Sequence, residues 1–247
     1  MFDKQPVVVG GNGHSGTRIF VEIIGHSGVF CGVRSLTKRR YSEDLRIIDL
    51  LNRWVGPYVL KTLDAKQDIR MKRAFNRRLR LYFPIRRRPW GFKNPRSLLI
   101  LPFFHQLFPD MKFVHVIRDG RDVSLGNVFV ASNRYVDAFL QGSERSLPPE
   151  QKMILFWGRS NQQAMEYGSA ALGENYRMMR WEDLCKDPLS KTAELIRFAG
   201  GTESLAVKAS TLVETPKSIG RWTSFPSEIS DPVMARGEPW LSLFGYL

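Results

Sequence analysis

The chain has 247 residues, 43% of them hydrophobic, an ordinary globular composition with length enough for one sizeable core. Two cysteines, Cys31 and Cys185, exclude a disulfide scaffold, form no metal-ligand or redox spacing, and fit a reducing cytosol. A net charge of +13 implies a polyanionic partner, a doubly charged cofactor, or both.

Met1-Phe2-Asp3-Lys4 leads straight into an apolar run with no basic and apolar leader pattern, so no secretory signal is expected. No run reaches the roughly eighteen apolar residues of a membrane span, and a cytoplasmic protein is the expectation. No internal repeat or low-complexity tract stands out.

Val7-Val8-Val9 reads as a buried strand, followed by Gly10-Gly11-Asn12-Gly13-His14-Ser15-Gly16-Thr17-Arg18 and then a helical pattern carrying Ile19 and Ile23. Strand, glycine loop and helix start make an anion cradle. Glycines let backbone N–H groups approach a phosphate, and a helix N-terminus adds partial positive charge. Ser15 and Thr17 add hydroxyls and Arg18 a full charge. The spacing from Gly11 to Gly16 matches the start of a Walker A loop. The Lys and the Ser or Thr that should follow are absent; Thr17 and Arg18 stand there instead. A P-loop kinase therefore lacks both its phosphate lysine and its magnesium hydroxyl.

Gly28 to Gly32 reads as a short strand or extended turn. Residues 44–55 and 64–82 read as helices, the second with Met71, Phe75, Leu79 and Tyr82 at helical spacing. Its surroundings are basic: Lys66, Arg70, Lys72, Arg73, Arg77, Arg78, Arg80, Arg86, Arg87, Arg88 and Lys93 stand against one acid, Asp68. Most lack a carboxylate at helical spacing, so an acidic acceptor or an anionic surface is the sharper reading than a solvated face. Trp90 to Lys93 reads as a strand broken by Asn94-Pro95, and 96–108 as an apolar helix. Lys112 to Ile117 is a buried strand followed by a helix from Gly120. A loop over 142–149 precedes a long helix to about Ala171, then a strand from Tyr176 to Arg180 and helices over 188–199 and 203–213. Strands alternating with helices predict a mostly parallel sheet flanked by helices on both faces, with ligands at the carboxyl ends of the strands.

Four later segments bear on the loop. Arg118-Asp119-Gly120-Arg121-Asp122-Val123-Ser124 closes the strand ending at Ile117, where a guanidinium can fork a phosphate beside a helix start. Asp119 and Asp122 are read as orienting the arginines. Arg180-Trp181-Glu182-Asp183-Leu184 precedes Asp187-Pro188. Lys217-Ser218-Ile219-Gly220-Arg221-Trp222 is a short basic turn. Gly91-Phe92-Lys93-Asn94-Pro95 ends a strand on a cation.

These segments, in this order, resemble the motifs of the sulfotransferases that use 3′-phosphoadenosine 5′-phosphosulfate (PAPS), in their bacterial and tyrosylprotein branch. His14-Ser15-Gly16-Thr17 resembles the 5′-phosphosulfate loop, where the family has Lys or Arg in place of His14. The Arg118 segment resembles the 3′-phosphate motif, with Gly126 where the family has serine; Ser124 or Asn127 is the substitute donor. Trp181 falls at the residue that contacts adenine. Lys217, Gly220 and Arg221 fall on the loop that folds over the cofactor. Lys93 matches the lysine that neutralises the leaving phosphate, and Pro95 replaces the histidine base of cytosolic members.

The resemblance implies one P-loop-like, three-layer α/β domain over 1–247. It implies PAPS as donor, adenosine 3′,5′-bisphosphate as product and no metal. The implied cofactor-binding set is Gly13, His14, Ser15, Gly16, Thr17, Arg18, Arg118, Ser124, Trp181, Lys217, Gly220 and Arg221. His14, Arg18 and Lys93 are the expected catalytic residues, His14 as electrophile or general acid if the phosphates hold it protonated and a weaker group if neutral. For the base, Glu22, His105, Glu43 and Asp44 are candidates, the last two preferred. The acceptor is a hydroxyl of a saccharide, peptide tyrosine, lipid or small alcohol, acidic enough to meet the basic stretch 66–93. The alternative is a decayed sulfotransferase fold that binds nucleotide or polyanion. Nucleic acid ranks below both, since no helix-turn-helix, zinc pattern or aromatic RNA-binding strand is present.

Overall fold

The computed structural model describes residues 5–31, 45–82, 89–126 and 134–247. Glu43, Asp44, Asn127 and Arg86 to Arg88 lie outside the described residues.

In chain order, strand β1 (Val7–Gly11) leads into helix α1 (Thr17–His26), then α2 (Leu45–Val59) and α3 (Ala65–Tyr82). Strand β2 (Gly91–Lys93) is followed by a 3-10 turn (Pro95–Ile100) and α4 (Leu101–Leu107). Strand β3 (Lys112–Ile117) precedes α5 (Gly120–Gly126), α6 (Arg134–Asp137) and the long α7 (Pro149–Leu172). Strand β4 (Tyr176–Arg180) is followed by α8 (Trp181–Lys186), α9 (Pro188–Ala199), α10 (Ala206–Ser210) and α11 (Ser227–Leu243).

The strands form one sheet in the order β2-β1-β3-β4, every pair parallel. Side chains alternate across it. Val8 and Phe113 pack with α2, α3 and α4, whereas Val7, Val9, Val114 and Val116 pack with α1 and α9. A sheet whose inner strands are apolar on both faces needs a helical layer on each, and the fold is the expected three-layer α/β arrangement. The register pairs Val9 with Lys93, Gly11 with Val116 and Ile117 with Arg180. The carboxyl ends of all four strands therefore lie along one edge.

Several elements differ from the sequence expectation. The helix over 96–108 is a 3-10 turn that becomes α4 only at Leu101, because Pro102 has no N–H to bond backwards. The helix over 203–213 shrinks to a 3-10 turn and the short α10. Of the strand expected at 28–32, the described residues show a single parallel bridge from Phe30 to Trp90, and Gly32 lies outside the described residues. Helix α11 was not foreseen: Pro232, Pro239 and Gly237 interrupt its pattern. Yet it buries Val233 and Leu241 against Ile154 and Trp157 of α7, and that contact holds it.

Candidate active site

The glycine loop leaves β1 at Gly11 and enters α1 at Thr17. Its turn closes through Ser15 N–H donating to Asn12 O at 3.2 Å. His14 and Gly16 both take positive φ, 67° and 79°. At Gly16 a side chain is excluded twice over: by that φ, and by the Trp181 indole, 2.9 Å from where a Cβ would stand. No side chain caps α1, so the N–H groups of its first turn face the loop opening. Thr17 is buried while His14 and Arg18 are exposed.

Arg118 stands just past β3, level with this loop, and only 5% of it is exposed. Its Nη1 donates to His14 O at 3.2 Å, and its Nη2 donates to Asp122 Oδ2 at 3.1 Å. The same Nη2 donates to Ser218 O and to Ser218 Oγ. One guanidinium thus ties the glycine loop to the late basic turn, residues separated by about two hundred positions in sequence.

Asp122 is fully buried and completes the tie. It accepts Gly220 N–H at 2.8 Å and Trp222 N–H at 3.1 Å, while its carbonyl accepts Arg221 Nε at 3.1 Å and Nη2 at 2.5 Å. Asp119 instead grips Arg121 through Nε at 3.0 Å and Nη2 at 2.8 Å. Arg121 then stacks on Trp222 at 4.0 Å and donates to Tyr246 O at 3.0 Å. The orienting role expected of both aspartates is what the structure shows, but Arg121 points toward the C-terminal segment. That segment braces the site further: Tyr246 donates to Glu182 at 3.0 Å, and Glu182 accepts Asp119 N–H at 3.0 Å. Burial raises the Glu182 carboxyl above its usual range.

Arg118 and Arg221 form one electropositive group beside His14. Partial burial of its ring first, then Arg221 and Arg118, lowers the His14 pKa below its ordinary value in the free protein. Burial and Arg118 likewise lower Arg221, opposed by Asp122. Cations crowded this way around one carboxylate are arranged for an anion. Buried polar atoms fit the same purpose: among the described residues Ser15 Oγ, Ser124 Oγ and Arg118 Nε find no hydrogen-bond partner.

Lys93 ends β2 beside Val9, half-buried, and Asn94 N–H donates to Val9 O at 3.1 Å. Trp181 is 5% exposed, with its ring against Gly16 and 6.1 Å from the ring of Phe20. Lys217 is exposed on the late turn. Among the base candidates, Glu22 is half-buried on α1. His105 bonds Tyr167 at 2.9 Å, in the stretch of α7 that packs on the start of β4. It lies toward the amino ends of the strands, away from the loop. Among the described residues no three His, Cys, Asp or Glu side chains group to hold a metal ion. No described helix is long and apolar enough to cross a membrane.

Residues 6–203 match the sequence pattern of the sulfotransferase family. The chain belongs to the sulfotransferase family. The fold of this sulfotransferase is shared with solved structures at low identity. A sulfotransferase domain from the curacin biosynthetic pathway aligns at 16% identity and TM-score 0.60 over 98% of both chains. A sulfotransferase from Mycobacterium avium aligns at 11% identity and TM-score 0.60, covering 97% of this chain and 76% of its own. Retinol dehydratase, solved with androsterone and the inactive cofactor PAP, aligns at 13% and 0.51, over 97% of this chain and 82% of its own. No curated protein matches the sequence.

Sequence reasoning missed two supports of this candidate site. Tyr246, which donates to Glu182, lies in a segment with no motif. The sequence marks Asn12 only as a loop residue, although its buried side chain is bonded to α7.

Proposed function

We propose that the chain moves a sulfuryl group from PAPS to an acceptor hydroxyl. The observation that carries this reading is the convergence of Arg118, Arg221 and His14 on the uncapped start of α1, with Arg118 Nε and the Ser15 and Ser124 hydroxyls lacking partners among the described residues. When bound, the donor supplies the activated sulfuryl group and its phosphate leaving group.

The residues divide the work. Backbone N–H groups of Gly13, His14 and Gly16, with the Ser15 and Thr17 hydroxyls and Arg18, hold the 5′ anion. Arg118, Ser124, Lys217, Arg221 and the Gly220 backbone hold the 3′-phosphate. Lys93, one strand away from the loop, meets charge developing on the leaving oxygen. His14 meets the sulfuryl oxygens and gains a proton as it does so. Trp181, whose ring packs on Gly16, is the proposed adenine contact. Glu43 and Asp44 are the proposed base. Adenosine 3′,5′-bisphosphate is the proposed product. On the exposed side of α3, Lys66, Arg70, Arg73 and Arg77 are proposed to meet an acidic acceptor.

Calorimetry with adenosine 3′,5′-bisphosphate and AMP tests the reading. A charge-assisted hydrogen bond contributes roughly 1.5–3 kcal/mol, so the bisphosphate should bind at least about tenfold tighter. Equal affinity for the two nucleotides refutes the 3′-phosphate site. Transfer of labelled sulfate to a panel of acceptors then tests the chemistry.

A further inference from the structure

Beneath the glycine loop runs a chain of buried polar side chains contributed by four elements. His115 on β3 and Asn161 on α7 are 0% exposed, Ser160 2% and Asn12 5%. Tyr176 at the start of β4 meets His115 Nδ1 at 2.5 Å. His115 Nε2 meets Asn161 Oδ1 at 2.8 Å. Asn161 Nδ2 donates to Asn12 Oδ1 at 2.6 Å and to Trp157 O at 2.7 Å. Asn12 Nδ2 donates to Ser160 Oγ at 3.1 Å, and Ser160 Oγ to Trp157 O at 3.4 Å.

Every proton in this chain is assigned by its neighbours. The carbonyl of Trp157 can only accept, so the Asn161 atom facing it is the amide nitrogen. The amide oxygen then faces His115 and must receive a hydrogen bond, which places the imidazole proton on Nε2. Nδ1 is left as an acceptor, and the Tyr176 hydroxyl donates to it. The polarity runs one way, from Tyr176 through His115 and Asn161 to Asn12. Burying four such groups is costly unless all are satisfied, and here each has its partner.

The chain ends at the residue whose own carbonyl accepts Ser15 N–H and closes the loop turn. We propose that His115 is a positioning residue: through its Nε2–H it fixes the Asn161 amide, and through Asn161 the side chain of Asn12, so that the glycine loop is held in its anion-binding shape before any anion arrives. The inference rests on the reading of this loop as the anion-binding loop. It adds a supporting shell from β3 and α7 that the loop sequence does not contain. Preorganisation of this kind favours binding because the ordering of the loop is already complete.

Two substitutions separate positioning from packing. In His115→Gln the amide nitrogen reaches the place of Nε2 and can still donate to Asn161. In His115→Asn the side chain reaches only the place of Nδ1, and Asn161 Oδ1 loses its donor. Hydrogen exchange of the full-length protein without nucleotide, read on peptides covering residues 10–18, reports the loop directly. We expect the Asn variant to exchange there about tenfold faster than wild type, with α9 and α11 unchanged, and the Gln variant to stay within about twofold. Equal loop exchange in wild type and His115→Asn overturns the proposal, and so does equal acceleration in both variants. If His115→Asn does not fold, Asn12→Ala decides: faster loop exchange supports the anchoring, and wild-type exchange overturns it. Calorimetry of wild type with adenosine 3′,5′-bisphosphate is run alongside. Absence of binding there strikes the donor assignment, while the exchange result still decides the relay.

Discussion

The guanidinium of Arg221 lies across Gly126, in the space that a side chain at position 126 would enter. The two residues are 95 positions apart, and their contact explains a departure seen in sequence. Where the resemblance calls for a serine hydroxyl, this chain has no side chain, and a longer cation from another segment fills the place. Asp122, four residues before Gly126, anchors that cation through its carbonyl.

Restoring the serine should therefore harm the site. Gly126→Ser should displace Arg221 and weaken adenosine 3′,5′-bisphosphate about tenfold, close to the loss in Arg221→Ala, with AMP affinity little changed. Calorimetry on both nucleotides checks this. Tighter binding in Gly126→Ser would show that the two residues are not alternatives.

Asp122→Asn should cost stability as well as binding. The carboxylate is buried between the Arg118 guanidinium and two backbone N–H groups, and an amide cannot satisfy all three. Breaking a buried ion pair costs about 3–5 kcal/mol. Urea denaturation should show a loss of this order; an unchanged midpoint would mean that the late turn is held by other contacts.

His14 should take up a proton when nucleotide binds. In the free protein, burial, Arg221 and Arg118 keep its pKa below the ordinary value of 6.5. A phosphate in the loop favours the imidazolium, so the complex holds more protons than the free protein and affinity falls as pH rises between the two pKa values. Calorimetry near pH 6.5 in buffers of different ionisation enthalpy should reveal the uptake. His14→Lys, permanently charged, should abolish it while keeping affinity at alkaline pH.

His115 makes stability depend on acid. Burial lowers its pKa to about 4, against 6.5 for an ordinary histidine. As pH falls below 6.5 the unfolded chain gains a proton that the folded chain refuses until about pH 4. The stability this confers is complete above pH 6.5 and is lost across that window. Denaturation from pH 7 to pH 4 should show a steeper loss for wild type than for His115→Gln, since carboxylates contribute to both alike. Parallel curves would refute a neutral buried imidazole.

Lys93→Ala should lower turnover more than it weakens nucleotide binding, because charge on the leaving oxygen is greatest in the transition state. Sulfate transfer and calorimetry on the same preparation separate the two. Unchanged turnover would remove Lys93 from the mechanism.

The sheet is legible in the sequence because its cause is local. Val7 to Val9, Lys112 to Ile117 and Tyr176 to Arg180 are short apolar-rich runs bounded by turn residues, and helices at 188–199 and 149–172 keep a clear period with proline at the start. Asp187 caps α9 through Ser190 N–H at 3.2 Å, a signal within four residues. Helix α11 failed this test because its prolines hide the period, and its stability comes from packing on α7.

For the site, sequence by itself determined the chemistry of the parts: an anion loop without a Walker lysine, cations at strand ends, and a family order that tied them together. Tertiary structure alone decided how those parts meet. Arg118 joins His14 to Ser218, Arg221 takes the room left at Gly126, and His115 reaches Asn12 through Asn161. The physical reason is range. Strand and helix periodicity act over a few residues and leave a trace in any short window. A hydrogen bond between residues a hundred positions apart is set by how the sheet twists and the helices pack, which no short window of sequence records.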